Sequence, residues 1–212
     1  MDVVIAGGHG QVALRLLRRL AARGDRARGL IRNPDHEADL QEVGAEPVLC
    51  DMEAEDDLAP FVEGADAVVF AAGAGPGSGP DRKKTVDLGA AVKLMEAAER
   101  LGIARYAMVS AIGAADPEKA SPAMRPYQEA KAEADRRLQR SGLAFTIVRP
   151  GRLTDDPGTG RIRAGHDIGT GSISRDDVAA TIAAVLAAPN TIGATFDVLE
   201  GDVPIADAVA AL

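Results

Sequence analysis

Two groups of residues have the types and spacing to do chemistry. The first is Val3-Val4-Ile5-Ala6-Gly7-Gly8-His9-Gly10-Gln11-Val12-Ala13, an apolar run, a glycine-rich turn and the start of an amphipathic stretch. Gly7 can take backbone angles closed to other residues, Gly10 lets the backbone approach a pyrophosphate, and the small Ala13 lets a helix pack closely on a strand. The helix that follows presents free N–H groups and the positive end of its dipole to the phosphates. The expected contacts are Gly7, Gly8, His9, Gly10, Gln11 and Val12. A plain tight turn is the alternative use of such glycines, but a preceding strand and a following amphipathic helix favour the phosphate cradle. The second group is Tyr127-x-x-x-Lys131, which a helix places on one face. An ammonium beside a phenol stabilises the phenolate. The expectation is therefore a Tyr127 pKa below the ordinary value of about 10, with proton exchange to a carbonyl or alcohol near neutral pH. A helix that simply begins near Pro126 would show the same spacing.

Other positions refine what the glycine turn would hold. A carboxylate at the end of the second strand reads the ribose hydroxyls of NAD, whereas this chain has Leu30-Ile31-Arg32-Asn33. A guanidinium there can clamp a 2′-phosphate, with Gln11 as a further donor, so NADP(H) is expected ahead of NAD(H). The alternatives are a solvated Arg32 and a phosphate site weakened by Asp35 and Glu37 nearby. Asp51, followed by Met52, is placed to accept a hydrogen bond from an adenine amino group or, equally, to shape an ordinary loop. Ala71-Ala72-Gly73 are small enough to let a cofactor lie flat across the sheet edge.

The elements that would position these residues are legible in the apolar pattern. Runs at Val3-Ile5, Ala27-Ile31, Pro47-Leu49, Ala67-Phe70, Arg105-Val109, Phe145-Val148 and Thr195-Leu199 alternate with stretches of helical spacing. Val12, Leu16 and Leu20 share one helical face, and Gly24 supplies a stop. This alternation predicts an α/β fold, a doubly wound parallel sheet covered on both faces, in a single domain over residues 1–212. Ser174-Arg175-Asp176-Asp177 reads as a capping box in which Asp177 reaches back to the Ser174 backbone, opening a final long helix. Gly73 to Pro80 is expected to be a loop, and Pro150 to about Gly171 an irregular stretch on the substrate side, about 150–172.

Composition narrows the function classes. The 212 residues carry a formal net charge of −8 and only 3% aromatics, which disfavours nucleic acid and acidic membrane surfaces. The chain opens directly on a strand pattern, and the single cysteine, Cys50, has apolar neighbours, so a buried thiol in a cytoplasmic protein is expected. His9, His36 and His166 lack metal-ligand spacing, so no metal is expected. Lys83 and Lys84 either steer an anion toward the cleft or form a solvated face.

Gly7-x-x-Gly10-x-x-Ala13, Arg32, Asp51, Ala72-Gly73, Met108-Val109-Ser110-Ala111-Ile112-Gly113, Tyr127-x-x-x-Lys131, Val148-Arg149-Pro150-Gly151 and Ile173-Ser174-Arg175-Asp176-Asp177-Val178 occur in that order. Over nearly its whole length the chain thereby resembles the atypical, NmrA-like NAD(P)H-binding members of the short-chain dehydrogenase/reductase superfamily. It looks most like small bacterial sugar-epimerase-like proteins and is similar to biliverdin/flavin reductases. The resemblance implies a Rossmann-type sheet, a catalytic set of Tyr127, Lys131 and Ser110, and Lys131 and Pro150 as further cofactor contacts. Two departures stand out. Ala111 replaces a serine hydroxyl of catalytic relatives, and Asp87 stands where they often have Asn. An NADPH-dependent oxidoreductase acting on a small carbonyl, quinone or flavin-like substrate is expected. The alternative is a non-catalytic NADP(H)-binding redox sensor with a protein partner, in a monomer or small homo-oligomer. A sugar-nucleotide epimerase is disfavoured, because about sixty residues after Pro150 cannot form the extra domain such enzymes use to hold their substrate.

Overall fold

The computed structural model describes residues 1–73, 75 and 79–212. Part of the expected loop from Gly73 to Pro80 therefore lies outside the described residues. In chain order the elements are β1 Asp2–Ala6, α1 Gln11–Ala22, β2 Arg26–Ile31, α2 Glu37–Glu42, β3 Glu46–Leu49, α3 Ala59–Val62, β4 Ala67–Phe70 and α4 Pro80–Arg82. A π-helical segment, Lys83–Ala90, joins α4 to α5 Ala91–Leu101, and β5 Arg105–Val109, α6 Arg125–Gln139 and β6 Ala144–Pro150 follow. The remainder is β7 Arg152–Thr154, β8 Arg161–Gly165, β9 Ser172–Ser174, α7 Arg175–Leu186, β10 Ala194–Glu200, β11 Val203–Pro204 and α8 Ile205–Ala210.

The main sheet has the order β11-β8-β10-β6-β5-β4-β1-β2-β3. From β10 to β3 every neighbouring pair is parallel, and all seven expected strands lie in this part. The fold is thus a Rossmann-type α/β domain whose strand order reverses between β1 and β4. Side chains alternate between two cores. Val3 and Ile5 face α1 and α7, whereas Val4 and Ala6 face α5 and the far end of α6. Burial on both faces explains why these strands read as continuous apolar runs.

The stretch after Pro150 is more regular than its composition predicts. It holds β7, paired in parallel with β9, and β8, antiparallel to β10 and bordered by β11. In β8, Arg161-Ile162-Arg163 buries Ile162 and exposes both arginines, so a half-exposed strand near the sheet edge needed only one large apolar residue. The cap of α7 also differs. Ser174 Oγ accepts from the Asp177 N–H at 3.0 Å as expected, but the Asp177 carboxylate accepts from the N–H groups of Thr159 (2.9 Å) and Gly160 (2.8 Å). Asp177 pins the loop before β8 rather than returning to the Ser174 backbone, because that loop crosses the start of α7.

Candidate functional site

A cleft of about 330 Å³ lies at the carboxyl ends of β1, β2 and β4, where the strand order reverses. Open α/β sheets bind ligands there because adjacent loops diverge to opposite faces. Its floor is the glycine turn. Gly7 has φ +81°, and its carbonyl accepts from the Gly10 N–H at 2.8 Å. A Cβ on Gly7 would stand 2.7 Å from Ala72 Cα, and one on Gly8 would stand 2.7 Å from Gly29 Cα. Gly7 therefore fits the turn against β4, while Gly8 fits it against β2 and donates to the Leu30 carbonyl at 2.8 Å. Gly10 precedes α1 without a side-chain cap, and the first turn of α1 has no acidic residue. Its N–H groups and dipole are thus not neutralised locally.

The rim carries both signs of charge. Arg32, just after β2, is 3.6 Å from Glu53, and Arg82 at the end of α4 reaches the same carboxylate oxygen at 3.2 Å. Asp51 uses one oxygen to accept from the Glu53 N–H at 3.0 Å, which sets the turn after β3. His9 pairs with Asp39 at 2.7 Å and stacks on His36 with ring centroids 3.5 Å apart. Cys50 also lines the cleft, and burial pushes its thiol up to about 12, so it is inert.

Beyond the cleft, α6 carries Tyr127, Lys131 and Asp135 at successive helical turns. Lys131 is buried and donates to the carbonyls of Ala72 (3.2 Å) and Val109 (3.3 Å), and it pairs with Asp87 of the π-helical segment at 3.3 Å. The ammonium thus braces the ends of β4 and β5 directly beneath the cleft floor. The Tyr127 ring lies between Lys83 and Lys131, whose Nζ atoms are 5.2 Å and 5.9 Å from its centroid. Burial pushes the Tyr127 phenol above its ordinary value; Lys131 opposes this, while Asp87 and Asp135 reinforce it. The expected depression is therefore corrected: desolvation of the phenolate outweighs the ammonium, and Asp87 and Asp135 push the same way as burial.

Ser110 is buried beside Asp135, but neither Ser110 Oγ nor Asp135 Oδ1 has an aligned hydrogen bond. Asp135 Oδ2 accepts from Arg149 Nε at 2.8 Å. Burial raises the Asp135 pKa, with Arg149, Ser110 and Lys131 opposing. Asp197 of β10 is likewise raised by burial and drawn back by Arg149 and His166. Among the described residues no cluster of metal-binding type is present, and no helix is long and apolar enough to cross a membrane.

The profile of a family described as NAD(P)H-binding matches residues 7–189, from the glycine turn to just past α7. The chain belongs to this NAD(P)H-binding family. Uncharacterized sugar epimerase YhfK of Bacillus subtilis (strain 168) is 43% identical over 211 residues, covering 99% of both chains. A solved structure from Bacillus halodurans, provisionally described as an NAD-dependent epimerase/dehydratase, is 41% identical, covers 100% of both chains and has a TM-score of 0.96. ChuY, an anaerobillin reductase from Escherichia coli O157:H7, is 25% identical with a TM-score of 0.77, covering 96% of this chain and 98% of that one.

The cleft suits the family's dinucleotide: an uncapped helix start for the pyrophosphate, small residues on the floor and guanidinium groups on the rim. The fold brings Gly7, His9, Gly10, Arg32, Asp51, Met52, Ala71, Ala72 and Gly73 together in its lining. Gly8 and Val12 instead pack behind it, the Gln11 side chain accepts from Arg15 at 2.8 Å, and Tyr127, Lys131, Ser110 and Pro150 stand outside this lining. Sequence reasoning missed Glu53, Arg82, Val86 and Ala90 in the lining, together with the Asp135–Arg149 pair. Only Asp135 had a readable signal, its place one helical turn beyond Lys131.

Proposed function

We propose that the chain is an NADPH-dependent oxidoreductase that reduces a small carbonyl, quinone or flavin-like substrate. The observation that carries this reading is the bond from Lys131 to the Ala72 carbonyl, which ties the Tyr127-Lys131 helix to the floor of the nucleotide cleft. Bound there, NADPH supplies hydride from nicotinamide C4. Gly10 and the first turn of α1 hold the pyrophosphate, Arg32 holds the 2′-phosphate, and Asp51 takes the adenine side. Tyr127, kept protonated by burial, donates its proton to the substrate oxygen as charge develops there and regains one from solvent. Lys131 stabilises the transient phenolate while holding β4 and β5 in register. The short segment after Pro150, about 150–172, suits a compact substrate rather than the nucleotide sugar of a larger epimerase.

The test is NADPH oxidation with quinones, flavins and aldehydes, comparing wild type with Tyr127→Phe. Turnover with at least one acceptor is expected, reduced about 10²–10⁴-fold in the variant, with NADPH binding unchanged. Tight NADPH binding without oxidation by any acceptor would overturn the enzyme reading. One observation favours the second reading, an NADP(H)-binding redox sensor with a protein partner: Ala111 brings no hydroxyl, and that of Ser110 is buried.

A further inference from the structure

On the NADPH reading above, we propose that Glu53 and Arg82 set the selectivity of the cleft for the 2′-phosphate, with Glu53 serving as an internal anion that the phosphate replaces. The evidence is the convergence of three loops. Arg32 follows β2, Glu53 lies in the turn after β3, Arg82 closes α4, and all three line the cleft that holds the glycine turn. Glu53 Oε2 is 3.6 Å from Arg32 Nη1, 3.2 Å from Arg82 Nη2 and 3.3 Å from Arg82 Nε. Two guanidinium groups, one just after β2 and one at the end of α4, thus share one oxygen. The other oxygen, Oε1, accepts from Thr85 Oγ1 at 2.8 Å, so Glu53 keeps an anchor when it gives up the arginines.

The exchange has a direction. The side chains of Arg32, Arg82 and Glu53 are 56%, 39% and 29% exposed, so water screens their present pairing and makes it weak. A 2′-phosphate brings more charge and three acceptor oxygens, and it can engage both forks together. A nucleotide with a plain 2′-hydroxyl offers neither and leaves the arginines on Glu53. Selectivity then depends on the difference between two anions competing for the same pair of cations. Arg82 adds the second cation that Arg32 alone lacks.

Calorimetric titration of the full chain with NADP⁺ and with NAD⁺ tests this. Arg82→Ala should weaken NADP⁺ about 10-fold or more, the loss of a charge-assisted contact, and leave NAD⁺ unchanged. Glu53→Gln retains a partner for Thr85 but removes the competing charge, so it should tighten NADP⁺ about 3- to 10-fold with little change for NAD⁺. The altered side chains are partly exposed, and a thermal melt checks that each variant stays folded. Loss of both nucleotides to the same degree in Arg82→Ala, or weaker NADP⁺ binding in Glu53→Gln, overturns the proposal. If Arg32→Ala abolishes discrimination while the Arg82 and Glu53 variants behave as wild type, this inference alone fails. If the wild-type chain does not discriminate and Arg32→Ala changes neither affinity, the NADPH reading fails with it.

Discussion

Gly7→Ala should separate the backbone cost of the glycine turn from its steric cost. The residue has φ +81°, and a new Cβ would lie 2.7 Å from Ala72 Cα, 2.9 Å from Ala72 Cβ and 3.0 Å from Ala72 N. A left-handed conformation costs an L residue about 1–2 kcal/mol. Forcing an extra carbon against backbone that cannot swing aside adds about 1–3 kcal/mol. Gly24 is the matched control, with φ +88° and nothing within 4 Å of its hypothetical Cβ. Gly24→Ala should therefore show only the first cost, and in urea unfolding Gly7→Ala should lose about 1–3 kcal/mol more. NADPH affinity should fall at least about tenfold in Gly7→Ala, because relief of the clash shifts the turn that presents the Gly10 N–H, and should not change in Gly24→Ala. Adding Ala72→Gly to Gly7→Ala should restore only part of the stability, since it removes the contact with Cβ but leaves those with Cα and N. Equal destabilisation of the two single variants with unchanged NADPH affinity would refute the close approach of the turn to β4 as its reason for requiring glycine.

Three other expectations can be checked together. Because burial holds the Tyr127 phenol above the ordinary phenol value of about 10, the rate of reduction should be flat from neutral pH to that value and decline only beyond it; a limb in the neutral range would place the proton elsewhere. Arg149→Met leaves the buried Asp135 carboxylate without its guanidinium and should cost about 3–5 kcal/mol at neutral pH. Asp135 already has a folded pKa above its unfolded value, so its favourable contribution is complete below 3.8 and is lost as pH rises through the folded value. Removing Arg149 raises that value further, so the deficit should shrink on acidification, and urea titrations at several pH values would show a constant deficit if the pair were irrelevant. Cys50, with its thiol pushed up to about 12, should react with iodoacetamide at mildly alkaline pH only after unfolding; rapid labelling of the native chain would contradict its burial.

Much of the architecture could be read along the chain because its signals are local. The central parallel strands are buried on both faces and so appear as apolar runs, and the glycine turn is one contiguous segment whose glycines each have a steric reason. Tyr127 and Lys131 are one helical turn apart, so their shared face follows from helix geometry alone. The antiparallel additions were hidden, because β8 rests on Ile162 between two exposed arginines and borrows its order from β10.

Electrostatics belonged to the tertiary structure. The residue types at Tyr127 and Lys131 suggest an acidic phenol, but Asp87 and Lys131 are 44 positions apart and meet only once the π-helical segment packs on α6. Desolvation and that carboxylate then reverse the sign of the shift. Likewise Arg32 was legible at the end of β2, but that it shares Glu53 with Arg82 depends on three loops converging over one cleft. A pattern along the chain determines which groups are available. The distances between groups on different elements, and the water excluded around them, determine their charge and partners, and those quantities exist only after folding.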